Sequence, residues 1–186
     1  MSELLNISYN WKEKANKLLQ EKDLVNDLSS FGAVHFTGSY SYNLMTRGDI
    51  DMVVSREQNY SASEVVEILK ELYLKRKFKS YFILGDWDNP KKGNEFPNGH
   101  YIGLKDKVGT DRWKFDIWFL SNEEYARRNN NLELLSIDGI QKELILECKQ
   151  YRDESNLEVS SQQIYDLVVR GICSSLEDFK KLCQKK

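Results

Sequence analysis

Proline and histidine are scarce in this chain: two of each in 186 residues, the histidines being His35 and His100. Two histidines are too few for a histidine-based metal cage. So few prolines, beside 40% hydrophobic and 12% aromatic residues, exclude a proline-rich disordered chain and point to a globular one. Cysteine is also sparse. Cys148, Cys173 and Cys183 all lie in the last third, odd in number and without a C-x-x-C pair. That usage argues for reduced thiols packed between helices rather than a disulfide frame or a zinc site. No apolar run approaches the length of a membrane span, and the opening MSELLNISYNWKEK has no apolar signal core. A cytoplasmic protein without a membrane partner is expected. Neither sign of charge dominates either, with 27 basic and 29 acidic residues. This near-balance argues against a nucleic-acid partner held by bulk electrostatics, although it leaves room for a local basic patch.

The periodicities predict an α+β fold. A helix is expected from Leu4 to about Leu28 and short strands at Ala33–Thr37 and Asp49–Ser55. Ser61-Ala62-Ser63-Glu64 has the capping-box pattern before a helical stripe. Strand-like runs follow at Ser80–Leu84, Tyr101–Leu104 and Trp113–Leu120. Ser121-Asn122-Glu123-Glu124 is a second capping box. Helices are then expected over Ile140–Tyr151, Ser160–Val169 and Ser174–Leu182. The expected organisation is an α+β domain over residues 1–121, a small mixed β-sheet packed with helices, and a C-terminal helical segment over 122–186.

Within HFTGSYSYNLMTRGDIDMVV, Asp49 and Asp51 open an apolar strand. Alternation puts both carboxylates on one face, with Ile50, Met52 and Val54 on the other. Aspartate is disfavoured in strands, and two like charges side by side repel unless a cation lies between them. Magnesium, which takes hard oxygen ligands, removes that penalty. Asp116 stands in the apolar, aromatic strand RWKFDIWFL, where metal ligation is the simplest reason for it. Gly38-Ser39 supplies close backbone approach and a hydroxyl, the chemistry that phosphate binding uses. Tyr40–Met45 is the expected short helix after it.

Gly38-Ser39, a short helix, Asp49-x-Asp51 on a strand and Asp116 on a later strand together resemble the nucleotidyltransferase superfamily related to DNA polymerase beta. The resemblance spans roughly residues 30 to 120. It implies two magnesium ions held by Asp49, Asp51 and Asp116, and a nucleoside triphosphate as co-substrate cradled by Gly38 and Ser39; Arg47, by its position just before the carboxylates, is a further candidate to neutralise a phosphate. It further implies transfer of a nucleoside monophosphate to an acceptor hydroxyl, with release of pyrophosphate. Small size and balanced charge favour a small-molecule or protein acceptor. An RNA-directed enzyme, supported by the basic run Lys70–Lys79, and a non-catalytic, antitoxin-like regulatory protein are the alternatives.

Each residue also has a structural reading. Asp49 and Asp51 can cap a turn after Arg47-Gly48, Asp116 can pair with Arg112 or Lys114, and Arg47 can form a surface ion pair. A basic helix end suits Lys75–Lys79. His100, Tyr101 and Trp113 read as packing residues, while Trp118 shares the face of Asp116 and can stack on a base. The rival pair Asp86 and Asp88 reads as loop chemistry.

Overall fold

The computed structural model describes residues 2–84, 96–128 and 136–184. Among these residues five strands form one mixed sheet in the order β1-β2-β5-β4-β3. They are β1 (Ala33–Thr37), β2 (Gly48–Arg56), β3 (Ser80–Ile83), β4 (His100–Val108) and β5 (Asp111–Ser121). β2 and β5 run parallel at the centre, and the other neighbours are antiparallel. Asp86 and Asp88 lie outside the described residues.

One face of this sheet, here the back, is apolar. Ile50, Met52 and Val54 of β2, Ile102 and Leu104 of β4 and Phe115, Ile117 and Phe119 of β5 are buried there. Helices α1 (Glu3–Lys22), α2 (Leu24–Ser29) and α4 (Ala62–Leu74) supply the opposing layer through Leu18, Leu19, Leu28, Val65, Ile68 and Leu72. The single helix expected over Leu4–Leu28 is two. Asp23 adopts the left-handed conformation, φ 53°, and breaks the ladder without a glycine or proline to announce it. The capping box of α4 forms as expected, Ser61 Oγ accepting from the Glu64 N–H and the Glu64 carboxylate accepting from the Ser61 N–H.

Two lysines of the basic run after α4 share one acid. Lys75 and Lys77 donate to the two oxygens of buried Asp27 at 2.7 and 2.8 Å, and Lys70 pairs with Glu67.

A second apolar cluster joins α6 (Gly139–Glu154), α7 (Ser161–Val169) and α8 (Leu176–Gln184) through Ile145, Leu146, Ile164, Val168 and Phe179. It also takes Tyr42, the last residue of the short helix α3 (Gly38–Tyr42), and Leu44 just beyond it. The helices therefore pack over the front of the sheet at α3. Cys148 and Cys173 are buried in this cluster, and Cys183 lies at its edge. The box expected at Ser121 forms only by half. Ser121 Oγ caps Glu124, but the Glu124 carboxylate turns instead to Arg127, Arg128 and the Asn98 N–H. These contacts hold α5 (Asn122–Arg128) to the segment before β4. Among the described residues no helix is long and apolar enough to cross a membrane.

Candidate active site

Strand register brings the three aspartates together. Asp51 lies opposite Asp116 in the parallel β2–β5 pair, and Thr37 of β1 lies opposite Asp51. Asp49 stands two residues earlier on the same face. One carboxylate oxygen from each aspartate lies within 4.8 Å of the others. Such crowding is unfavourable without compensating positive charge.

The electrostatics show the deficit. Burial, then the charges of Asp49 and Asp116, push the Asp51 carboxyl up to about 7. Asp49 Oδ1 is buried without a hydrogen-bond partner among the described residues. A buried, unpartnered carboxylate oxygen is costly, and a hard divalent cation is the ligand that its chemistry fits. Asp116 is the best satisfied of the three. The Tyr101 hydroxyl donates to its Oδ1, and Lys114 Nζ donates to Oδ2 at 2.6 Å. Burial lowers the Lys114 ammonium, but its bond to Asp116 more than reverses this and holds it above its ordinary value. The lysine pair weighed for Asp116 therefore exists beside the cluster rather than in place of it. Tyr101, read from sequence as packing, touches the cluster directly. Trp113 is core, edge-on to Trp11, and buried His100 bonds the Tyr60 carbonyl.

Gly38 brings β1 to an end against this cluster. Its φ is +63°, and a Cβ there would lie 2.0 Å from Asp51 Oδ2. Only glycine lets the backbone turn so close to that carboxylate. Ser39 follows in α3, which runs Gly38–Tyr42 rather than from Tyr40 onward. Arg47 is largely exposed and reaches Asp49 Oδ2 at 3.5 Å.

Gly38, Ser39, Arg47, Asp49 and Asp51 form one wall of a cleft of about 440 Å³. Lys149 and Arg152 of α6 and Ser161 and Tyr165 of α7 form the other, with Trp118 and Tyr125 at one end. Lys149 is 3% exposed and donates to the Leu44 carbonyl at 2.6 Å. Burial pushes its ammonium down to about 8, assisted by Arg152 and Arg47. Sequence reasoning missed this wall. Its signal was present: Ile145, Cys148, Lys149 and Arg152 follow i, i+3, i+4, i+7 spacing, so two cations occupy what is otherwise an apolar stripe.

Solved structures share this architecture. A cytoplasmic RNA terminal U-transferase superposes with a TM-score of 0.53 at 16% identity, covering 88% of this chain and 50% of that one. The poly(U) polymerase Cid1 with magnesium and 3′-dATP bound gives 0.51 at 15% identity, covering 90% of this chain and 53% of that one. The fold is that of the nucleotidyltransferases related to DNA polymerase beta. The poly(A) polymerase GLD-2, in its complex with GLD-3, shares this nucleotidyltransferase fold at a TM-score of 0.50 and 15% identity, covering 90% of this chain and 57% of that one. This chain thus spans about half the length of these neighbours. No family model and no curated protein matches the sequence.

Proposed function

We propose that this chain transfers a nucleoside monophosphate from a nucleoside triphosphate to an acceptor hydroxyl. The observation that carries the proposal is the under-neutralised carboxylate cluster, with an unpartnered Asp49 oxygen, beside the glycine turn at Gly38. Asp49, Asp51 and Asp116 would hold a pair of magnesium ions. Bound there, the cations supply Lewis-acid stabilisation of charge on the attacking and leaving oxygens. The neighbour structure with magnesium and 3′-dATP supports the assignment of both ligands.

The chain's own residues do the rest. Gly38 opens the backbone for the triphosphate, and Ser39 offers a hydroxyl and N–H. Across the cleft, Lys149 and Arg152 add two positive charges from an already folded helix, so the phosphates meet preorganised partners. The acceptor oxygen bonds to the α-phosphorus as the bond from that phosphorus to its bridging oxygen breaks. Pyrophosphate leaves with the bonding pair, and the hydroxyl proton passes to the Asp116 carboxylate.

The test is pyrophosphate release from each of the four nucleoside triphosphates with magnesium, with RNA, protein and small-molecule acceptors supplied in turn. Release by the native chain that disappears in Asp49→Ala/Asp51→Ala is the expected result. Release that survives in the double variant would place the chemistry elsewhere. Magnesium-dependent nucleotide binding with no turnover on any acceptor would support the non-catalytic, regulatory alternative.

A further inference from the structure

The front of β3, β4 and β5 carries a pattern that extends beyond the carboxylate cluster and its two donors, Tyr101 and Lys114. Side chains alternate along strands, and cross-strand partners share a face. On the face of Asp116, β4 presents Tyr101, Gly103, Lys105 and Lys107, while β5 presents Arg112, Lys114, Asp116 and Trp118. The register pairs Lys107 with Arg112, Lys105 with Lys114, Gly103 with Asp116 and Tyr101 with Trp118. Successive rows are about 6.8 Å apart. Four cations therefore run in two rows outward from the carboxylates.

Apart from Asp116, the acidic residues of this hairpin face the other way. Asp106 and Asp111 point to the back, where Lys22 and Lys14 of α1 meet them at 2.5 and 2.7 Å. On the front, Lys105, Lys107 and Arg112 are exposed, and no carboxylate pairs with them among the described residues. In a chain whose net charge is only −2, this face is locally basic by segregation.

Aromatic groups stand in the same rows. A Cβ on Gly103 would lie 2.0 Å from Phe82 Cζ, so the Phe82 ring lies flat on the glycine, one strand from Asp116. Lys105 Nζ is 5.2 Å from that ring's centre. Tyr101 is 5.8 Å from Phe82 and 5.3 Å from Trp118, ring centre to ring centre. Phe82 and Trp118 are half-buried, so each keeps part of a ring exposed.

We propose that this face is a binding path for single-stranded nucleic acid, which places the terminal nucleotide on Phe82 and its hydroxyl toward Asp116. Cations beside stacking rings are the chemistry that holds a flexible polyanion with planar bases. An acidic peptide would use the cations and leave the rings idle. The proposal rests on nucleotidyl transfer at the cluster and names its acceptor. It also relocates the support for an RNA acceptor. Of the run Lys70–Lys79, which carried that reading in the sequence, Lys70, Lys75 and Lys77 are paired with Glu67 and Asp27.

The test is fluorescence anisotropy of a labelled 12-nucleotide RNA across a salt series, in EDTA and without nucleotide. Duplex RNA of the same sequence and polyglutamate serve as competitors. Native protein is expected to bind the single strand, with duplex and polyglutamate competing at least tenfold less well. Lys105→Gln/Lys107→Gln/Arg112→Gln alters exposed side chains and so keeps the fold. It is expected to flatten the slope of log affinity against log salt by about 2, near 0.7 for each phosphate that the protein no longer neutralises. Phe82→Ala, with folding checked by its melting curve, is expected to weaken binding by about 5- to 100-fold. An affinity and salt slope unchanged in the triple variant would overturn the proposal, as would equal competition by polyglutamate. Binding without magnesium or nucleotide keeps the two readings separate. RNA binding lost in these variants, with no pyrophosphate ever released, would sink the transfer reading alone. Turnover on a small acceptor with RNA binding unaffected by the variants would sink this one alone.

Discussion

Asp27 receives Lys75 on one carboxylate oxygen and Lys77 on the other, whereas Asp51 has two further carboxylates as its neighbours. Both are aspartates held largely away from water. Burial pushes the Asp27 carboxyl up, but the bonds and charges of the two lysines more than reverse that and leave it below its ordinary value. At Asp51 burial and like charge act in the same direction, up to about 7. The contrast separates a carboxylate whose charge the protein balances itself from a cluster that leaves the balance to a ligand. Lys114 is the one ammonium within 4 Å of the three clustered carboxylates among the described residues, and Arg47 reaches Asp49 only at 3.5 Å. Asp27 ties the end of α4 to α2. The cluster instead carries a repulsion that a bound cation would relieve.

Asp51→Asn should break this comparison most sharply. Nucleotidyl transfer is expected to fall by about 10³-fold or more, the scale on which charge-stabilising groups act in phosphoryl transfer. The melting temperature in EDTA should rise, because the variant removes a charge that the fold disfavours. Pyrophosphate assays and calorimetry read the two effects, and a lower melting temperature would contradict the electrostatic account. The pH dependence carries the same sign. Asp51 binds its proton more tightly folded than unfolded, so its contribution to stability falls as pH rises from about 3.8 to about 7 and is constant above that. Urea unfolding in EDTA should show that decline between pH 5 and 7 in the native chain and lose it in Asp51→Asn. Asp27 behaves oppositely, its contribution being present above the ordinary carboxylate range and lost as pH falls through its lowered value.

Gly38→Ala comes next. The added Cβ meets Asp51 Oδ2 at 2.0 Å in a left-handed backbone, which costs about 1–2 kcal/mol before any displacement of the carboxylate. Displacing Asp51 should cost activity about 10²-fold, since such chemistry depends on sub-ångström placement. Substrate turnover compared with urea unfolding would expose the split. A loss of stability with full activity would show that Gly38 serves only the turn.

Asp27→Asn is the reciprocal of Asp51→Asn. Removing one partner of a fully buried pair costs about 3–5 kcal/mol, but Lys75 and Lys77 remain 41% and 27% exposed and can rehydrate. The expected loss is therefore about 1–2 kcal/mol, with activity retained. Chemical denaturation and the pyrophosphate assay together decide it. Lost activity at full stability would contradict the structural role.

These two sites also differ in how plainly the sequence displays them. Asp49, Asp51 and Asp116 are visible because aspartate in an apolar strand is a local anomaly, and period-two alternation already places the first two on one face. Nothing local marks Asp27, whose lysines arrive from about 50 residues away. The basic run Lys75–Lys79 is conspicuous in the sequence and commits two of its charges to Asp27. Lys105, Lys107, Arg112 and Lys114 are interrupted by other residues, and only the β4–β5 register gathers them. Lys149 and Arg152 were hidden for a related reason. Cations on a helix read as a solvated face until the packing of α6 over α3 shows them buried. Periodicity located the strands and most helices, but a left-handed Asp23 gives no periodic signal.

Tyr101→Phe is the smallest of the changes and refines the comparison within the cluster itself. Asp116 resembles Asp27 in having two donors, yet one is a neutral hydroxyl. Removing that hydroxyl leaves Lys114 as its sole donor among the described residues, with the ring still filling its buried place between Phe82 and Trp118. A hydrogen bond of this kind is worth about 1 kcal/mol net, so the melting temperature in EDTA should fall by about 2–4 °C. Magnesium should narrow the gap between variant and native chain, because a bound cation then satisfies the carboxylate that Tyr101 serves. Calorimetry with and without magnesium measures that gap. A deficit that persists unchanged when magnesium is added would mean that Tyr101 supports the sheet rather than the charge on Asp116.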